Sequence, residues 1–317
     1  MYILNFYIDR KLTLTLCNFQ QFNCIDGSCI SIDERCDGKV NCKDGSDEDE
    51  CKSFTTSLGY RKHLVPAPTD HLEDMQVSVS INVDEIIAID EANGYLRVKN
   101  SVTRDWKDDK ITFLNLKKEA SKNLISNDDM SNLWYPWIVF HNIESRDVVK
   151  LTDKLDRTQI IPSKEFKYVE ADQTNLHITR FFKGSENLIS MQKQYYTNWM
   201  SAYNMKWYPF DKQRIYLMMY PADNVTLVPR KVGYSGPKVL PQHYVNGISM
   251  CSATVDGVPG IVVELVLSRP LFSSILTVFM PTGIMLVLSL IVRVFYKKHV
   301  EMVISVHLTL LLVLATL

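Results

Sequence analysis

The chain has 317 residues, of which 46% are hydrophobic and 22% charged, a globular balance that excludes wholesale disorder. A formal net charge of -1, from 35 basic and 36 acidic residues, gives no global electrostatic reason to expect nucleic acid binding. These averages hide three regions: an acidic, cysteine-rich segment, a long middle segment, and an apolar end.

The first region, residues 17–51, contains six of the seven cysteines and nine Asp or Glu against three Lys or Arg. Six cysteines in a segment too short to bury much core predict a disulfide-stabilised module outside the cytosol. Acidic residues such as Asp37 and Asp47 lie close to the cysteines. Because paired cysteines are not thiolate ligands, these oxygen donors favour calcium over zinc. The alternative is an acidic, solvated loop with incidental cysteines.

This region resembles a low-density lipoprotein receptor class A repeat in three motifs: Phe22-Asn-Cys24, Cys36-Asp37-Gly38 and Cys42-Lys-Asp-Gly-Ser46-Asp47-Glu48. The resemblance implies the disulfides Cys17–Cys29, Cys24–Cys42 and Cys36–Cys51. It also implies calcium held by the side chains of Asp37, Asn41, Asp47 and Glu48 and by the carbonyls of Glu34 and Lys39. Asn41 stands where the family usually has Asp, so we expect weaker calcium binding.

The long middle segment shows the period-two alternation of half-buried strands, as in Val77–Val83, Leu96–Val102 and Ile261–Leu267. Asn93-Gly94 and Asp256-Gly257 are turn signals. About 200 residues of short strands joined by turns predict a β-sandwich. We expect residues 52–69, which contain Pro66-Ala-Pro68, to be a linker.

No motif in the sequence predicts an enzyme: it has no G-x-S-x-G, phosphate loop, H-E-x-x-H or dinucleotide fingerprint. We interpret His177 and His243 as ordinary strand or surface histidines. Cys251 has no partner cysteine in the middle segment and is predicted to be a free thiol or an intermolecular link. A catalytic nucleophile is not favoured, because no paired base is identifiable. Asn224-Val-Thr226 is a candidate glycosylation site.

Three stretches in order resemble the extracellular domain of pentameric ligand-gated ion channels, the Cys-loop receptor superfamily: Trp106-Lys-Asp108-Asp-Lys110-Ile111, Leu133-Trp134-Tyr-Pro136-Trp137-Ile-Val-Phe140-His-Asn142, and Trp207-Tyr208-Pro209-Phe210-Asp211-Lys-Gln213. The resemblance implies a ligand site between neighbouring sandwiches and coupling of sandwich to pore through Glu91, Asp211 and Arg269.

Two departures from that family matter. The cysteines that close the eponymous loop would fall at Ser201 and Ile215, so we expect packing to hold this loop. The second binding loop has Ala222 beside Pro221 and Tyr220, so a standard aromatic cage for a quaternary ammonium ligand is not expected.

The apolar end begins after Arg269, where residues 271–292 contain no ionisable side chain, although Pro281 interrupts them. Twenty-two residues at about 1.5 Å each span the roughly 30 Å hydrocarbon core, which predicts a membrane helix. A second apolar stretch begins at Met302 after a short basic connector, so the sandwich and the module are predicted to be extracellular. We expect the chain to be a fragment that ends within the second helix.

Three polar side chains interrupt that second stretch on one helical face, namely Ser305, Thr309 and Thr316, and Glu301 lies one turn before Ser305. The resemblance implies a pore-lining helix, with Leu308 at the central constriction and a titratable His307 near it. Hydrogen bonding between helices is the competing explanation. Glu301 weakly favours cation passage, although Lys297 and Lys298 would oppose it.

The sequence therefore predicts a mainly β fold with a small calcium module and truncated transmembrane helices. The predicted regions are 1–16 (leader or misassigned start), 17–51 (class A repeat), 52–69 (linker), 70–269 (ligand-binding domain) and 270–317 (transmembrane region). We expect a plasma-membrane subunit of a homo- or hetero-pentamer that binds a small extracellular ligand and contacts the lipid bilayer but no nucleic acid. The alternative is an adhesion or endocytic receptor whose repeat captures basic proteins, and a secreted enzyme is a distant third.

Overall fold

The structure is a computed structural model that describes residues 16–18, 21–49, 51–66, 74–143, 149–150, 156–172, 179–295 and 300–316. Several predicted features lie outside the described residues: residues 1–15 of the predicted leader, His177, and the connector lysines Lys297 and Lys298. The fold is mainly β, with a small disulfide-rich module at its amino-terminal end.

The module is held by its disulfides around a very small core. Strands β1 (Gln21–Asn23) and β2 (Cys29–Ser31) form an antiparallel pair, followed by a 3-10 turn at Ile32–Glu34. The buried side chains are Phe22, Cys24 and Cys42. So little buried apolar surface cannot offset the chain entropy, which is why the segment needs crosslinks. The disulfides are the three that the resemblance implies: Cys17–Cys29, Cys24–Cys42 and Cys36–Cys51.

The rest of the β structure is a sandwich of two larger sheets. The first has the strand order β14-β4-β5-β12-β8, and β9 also pairs with β12. The second has the order β15-β16-β13-β7. A smaller sheet has the order β10-β11-β6-β3. All named pairs are antiparallel except β14 with β4. The strands are β3 (Phe54–Thr56), β4 (Gln76–Asp90), β5 (Tyr95–Trp106), β6 (Ile111–Leu114), β7 (Ile138–Phe140), β8 (Val149–Lys150), β9 (Arg157–Ile161), β10 (Glu170–Asp172), β11 (Thr179–Lys183), β12 (Leu188–Met200), β13 (Lys212–Pro221), β14 (Thr226–Tyr234), β15 (Tyr244–Val255) and β16 (Val258–Ser268).

The alternating patterns in the sequence place the core between the sheets. In β4, Val77, Val79, Ile81 and Val83 are all at most 2% exposed, and every second residue points outwards. The turns after β4 and β15 use Gly94 and Gly257, whose positive φ angles of 73° and 83° suit glycine. The predicted strands and turns are therefore confirmed, and each strand is longer than its alternating run.

The prediction that residues 52–69 form a linker is wrong for the first part of that segment. Residues Phe54–Thr56 form β3, which pairs with β6, and Phe54 is buried in the sandwich core. The Tyr60 hydroxyl donates to Asp108 Oδ2 at 3.0 Å and accepts from the Trp134 N–H at 3.0 Å. The Phe54 ring is buried and the Tyr60 hydroxyl is hydrogen-bonded, whereas in an extended linker both side chains would remain in water.

The helices lie at the two extremes of the sandwich region. A single-turn helix, α1 (Asn127–Met130), is capped by Ser126, and a 3-10 turn covers Ala120–Lys122. After β16, helical structure runs without interruption through α2 (Leu271–Ser274), a π-helical segment (Ile275–Phe279) and α3 (Met280–Phe295), and α4 covers Val300–Thr316. None of the described helices combines the length and the apolar character that crossing a membrane requires.

The Tyr60 contacts predict that residues 52–66 stabilise the sandwich. Replacing Tyr60 with Phe removes a hydroxyl with two partners and should lower the free energy of unfolding by about 1–3 kcal/mol. Denaturant unfolding of Tyr60→Phe, with the more exposed Tyr168→Phe as the matched control, measures this cost. Equal stability of the two variants would contradict the assignment of this segment to the sandwich.

Candidate functional sites

The acidic edge of the module collects most of the predicted calcium ligands around the Cys36–Cys51 disulfide. The Asp37 and Gly38 N–H groups donate to Glu48 Oε1 at 2.9 and 3.2 Å, and the Asn41 N–H donates to Asp47 Oδ2 at 2.6 Å. The Asp47 side chain is fully buried, and its Oδ1 has no hydrogen-bond partner in the structure. A buried carboxylate oxygen without a donor is costly unless a cation binds it.

Asn41 and Glu34 occupy this edge in an unexpected arrangement. The Asn41 amide Nδ2 lies 3.3 Å from the Glu34 carbonyl and 3.4 Å from Asp37 Oδ1, so it faces the oxygens that the resemblance assigns to calcium. The Glu34 carboxylate instead accepts from the Ser31 N–H and caps the 3-10 turn. In the described part of the chain, no three His, Cys, Asp or Glu groups converge as a preformed metal site.

The acidic edge faces the sandwich across a cavity of about 890 Å³, lined by Asp37, Glu48 and Lys117 among others. Lys117 is mostly buried, and its Nζ lies 3.4 Å from the Cys36 carbonyl. Burial lowers the pKa of Lys117, while Asp37, Asp33 and Glu48 on the module oppose that shift. The module is therefore joined to the sandwich by a charge contact as well as by the covalent chain.

At the opposite end of the sandwich, Arg269 joins two carboxylates from separate loops. Its Nε donates to Asp211 Oδ1 and Oδ2 at 2.9 and 3.1 Å, and its Nη2 contacts Glu91 Oε1. The guanidinium carbon lies 4.8 Å from the centre of the Tyr208 ring. Burial by itself lowers the pKa of Arg269, but hydrogen bonds to Glu91 and Asp211 outweigh it and raise that pKa. These three residues, predicted to act together, are in direct contact.

His243 is a fourth member of this cluster, and the prediction that it is an ordinary strand or surface residue is wrong. Its side chain is 0% exposed, and its Nε2 lies 2.9 Å from Glu91 Oε1, the oxygen that Arg269 also contacts. His243 lies in a turn just before β15, where no periodic pattern indicates burial. Only the three-dimensional packing of the turn against Glu91 reveals its position.

A glutamine bridge spans the loop that lacks the family cysteines. Asn204 N–H donates to Gln213 Oε1 at 3.0 Å, and Gln213 Nε2 donates back to the Asn204 carbonyl at 2.9 Å. Gln213 is 3% exposed, and Ile215 packs in the core. The loop is thus held by packing, as expected, and also by paired hydrogen bonds close to where the disulfide would lie.

The residues of the predicted ligand loops combine aromatic rings with polar groups. Trp137 is 56% exposed, Ala222 is exposed, and the rings of His141 and Tyr220 lie 6.4 Å apart. His141 Nδ1 lies 3.2 Å from Asp256 Oδ2, at the tip of the β15–β16 hairpin. Cys251 on β15 and Asn224 in a bend before β14 are both exposed.

Helix α4 presents the predicted pore residues on one exposed side: Glu301, Ser305, Leu308 and Thr309. The opposite side contacts α3, where His307 Nε2 lies 2.8 Å from Ser289 Oγ and its Nδ1 lies 2.7 Å from the Val303 carbonyl. The structure therefore directs the His307 ring towards α3 rather than towards the side that carries Leu308.

The fold and these sites define a β-sandwich that is preceded by a disulfide module and has a buried arginine–carboxylate cluster at its far end. Residues 50–244, 195 of the 317, match the family described as the neurotransmitter-gated ion-channel ligand binding domain. Residues 15–51 match the low-density lipoprotein receptor domain class A. The chain belongs to the neurotransmitter-gated ion-channel ligand-binding domain family and carries an amino-terminal class A repeat.

The individual relatives named here match short stretches of the chain, 36 to 55 residues long. SCO-spondin of Rattus norvegicus is 53% identical over 36 residues, 11% of this chain and 1% of that protein, and the Mus musculus protein gives the same values. Low-density lipoprotein receptor-related protein 11 of Homo sapiens is 40% identical over 55 residues, 17% of this chain and 11% of that protein. The chain thus spans only a small part of the curated relatives that it matches.

The buried cluster predicts a large stability loss when its cation is removed. Arg269→Ala leaves Asp211 and Glu91 without their shared partner and should lower the free energy of unfolding by about 3–5 kcal/mol. Arg214→Ala is the matched control, because Arg214 pairs with Glu264 at the surface and should cost at most about 1 kcal/mol. Chemical unfolding of both variants measures the difference, and similar costs would contradict a buried, interdependent cluster.

Proposed function

We propose that this chain is part of a subunit of a ligand-gated ion channel, in which extracellular ligand binding opens a transmembrane pore. The observation that carries the proposal is the direct continuity of the ligand-binding sandwich with apolar helices at Arg269. The guanidinium is fixed by Asp211 and Glu91, and only Pro270 separates it from α2. A movement of either loop would therefore be transmitted to the start of the helices.

We propose that the consecutive helical segments from residue 271 to residue 295 together form one membrane span and that α4 belongs to a second. Segments of 4, 5 and 16 residues follow one another directly from residue 271 to residue 295, together about 37 Å at 1.5 Å per residue. Large apolar side chains on α3 such as Leu286 and Val287 are more than half exposed, as lipid-facing residues are. With the helices in the membrane, the sandwich and the module are extracellular, which suits the three disulfides.

We infer that α4 lines the pore and that five subunits surround it. Glu301, Ser305 and Thr309 are spaced four residues apart on the side away from α3, with Leu308 among them. A ring of Leu308 side chains would exclude water and close the pore. Glu301 remains a weak argument for cation passage, since a carboxylate ring in a narrow pore attracts cations.

The ligand site proposed between neighbouring sandwiches takes a small molecule recognised by polar groups rather than by an aromatic cage. The polar pair of His141 and Asp256 supports this, and Ala222 offers no ring, so the exposed Trp137 does not by itself complete a cage. The alternative, an adhesion receptor that captures basic proteins, is less well supported because the acidic edge of the module already faces Lys117. Neither proposal requires enzymatic chemistry.

We further propose that calcium binds the module through Asp37, Asp47 and Glu48, with the Glu34 and Lys39 carbonyls and the Asn41 amide oxygen. The unpartnered, buried Asp47 Oδ1 fits a cation. Asn41 would have to present its oxygen in place of the nitrogen that now faces Glu34 and Asp37. When bound, the metal would neutralise a carboxylate cluster and tie the end of the module to its middle.

The pore assignment predicts that Leu308→Ser, in the full-length subunit, produces a ligand-independent current. A hydroxyl at the constriction hydrates the pore and should raise the resting current by about tenfold, equivalent to roughly 1.4 kcal/mol. Leu310→Ser is the matched control, because Leu310 lies on the less exposed side of α4. Two-electrode recording measures both, and equal resting currents in Leu308→Ser and wild type would contradict the channel proposal.

The calcium assignment predicts that chelation exposes the module to trypsin at Lys39 and Lys43. Cleavage at the exposed Lys206, in the loop before β13 and far from the module, should stay constant. Without a bound cation, the clustered carboxylates repel one another, so the local structure opens. Asn41→Asp restores a carboxylate and should lower the calcium concentration for half-protection about tenfold. Mass spectrometry of the fragments measures this, and identical module cleavage with and without chelator would overturn the assignment.

A further inference from the structure

The buried His243 has no role in the coupling described above, yet it contacts the same carboxylate oxygen. Its Nε2 lies 2.9 Å from Glu91 Oε1, and the Arg269 Nη2 reaches that oxygen from the other side. Neither ring nitrogen makes a well-aligned hydrogen bond to any residue that the structure describes. The ring is therefore positioned beside the carboxylate without a fixed hydrogen-bonding role.

The charges around His243 make its protonation state consequential. The groups that face it are Glu91 from the β4–β5 turn, Asp211 before β13 and Arg269 after β16, and Glu91 in turn lies near Asp90 and Tyr203. Two carboxylates and one guanidinium give the inner cluster a formal charge of -1. An imidazolium at His243 would bring that charge to zero, with two cations competing for Glu91.

We propose that His243 is a proton-operated switch at the base of the sandwich: once protonated, it withdraws Glu91 from Arg269 and weakens coupling to the helices. Arg269 keeps Asp211, because its Nε contacts both Asp211 oxygens independently of Glu91. The ligand of this site is thus a proton, and acidification changes the Glu91–Arg269 contact while the Asp211–Arg269 contact remains. The effect on gating rests on the proposed channel function, whereas the competition for Glu91 does not.

The direction of the pH dependence follows from burial. Burial lowers the pKa of His243 below its usual 6.5, and the Glu91 carboxylate opposes that shift. The folded state then binds fewer protons than the unfolded state below pH 6.5, so stability is full above that pH and declines as pH falls. The decline ends once the pH has passed through the lowered pKa of the folded state.

The first arm of the experiment measures thermal unfolding of the purified full-length subunit at pH 7.5 and 5.5. Wild type should lose about 2–4 °C more than His243→Gln, because only the wild type has a histidine here that the unfolded state protonates more readily than the folded state. His141→Gln is the matched control, since His141 pairs with Asp256 away from the cluster. It should retain the wild-type loss, and Glu91→Gln should enlarge it by removing the charge that favours the imidazolium.

The second arm records resting current in a Leu308→Ser background, which needs no identified ligand. Acidification to pH 5.5 should reduce the current about fivefold, and His243→Gln should remove most of that reduction. If the unfolding temperature or the current of His243→Gln depends on pH as strongly as that of the wild type, the proposed switch is wrong. If Leu308→Ser gives no current, the channel function fails, and the thermal arm still decides whether His243 and Glu91 are linked by a proton.

Discussion

The interaction on which the rest of the structure depends is the buried guanidinium of Arg269, shared between Asp211 and Glu91. Desolvating one cation and two carboxylates is unfavourable unless all three remain together, so the cluster fixes the relative positions of the elements that carry them. Those elements are the β4–β5 turn, the segment before β13, and the end of β16, from which the helices begin. The cluster stabilises the fold when all three charged groups are present, and the loss of any one of them destabilises it.

The two ends of the sandwich use charge differently. At the module end, an acidic edge meets a mostly buried lysine across a cavity, and one carboxylate oxygen is left without a partner. The unpartnered oxygen, Asp47 Oδ1, is the observation behind the proposed calcium site. At the helix end, the carboxylates are already paired with Arg269, and the room for regulation lies in His243. Each end therefore has a site at which we propose an ionic equilibrium, with calcium at the module and with a proton at His243.

Much of the fold could be predicted from local sequence, because alternation and cysteine spacing are local properties. The alternating valines of β4 and the six clustered cysteines indicated a sandwich and a disulfide module. Non-local contacts could not be found in this way. Pairing of Phe54–Thr56 with β6, the Gln213 bridge to Asn204, and the burial of His243 each join residues that no short pattern relates. Pro66 and Pro68 suggested a linker, although the residues before them gain burial and hydrogen bonds by packing on the sandwich.

The central claim, that the Arg269 cluster couples the sandwich to a pore, is tested most directly by a double-mutant cycle between Arg269 and Asp211 on the resting current of the Leu308→Ser subunit. The account predicts that the effects of Arg269→Ala and Asp211→Ala are strongly non-additive, with an interaction energy of about 1–3 kcal/mol. The surface pair of Arg214 and Glu264 should be additive in the same cycle. Additive effects at Arg269 and Asp211, or equal coupling at the surface pair, would contradict the account.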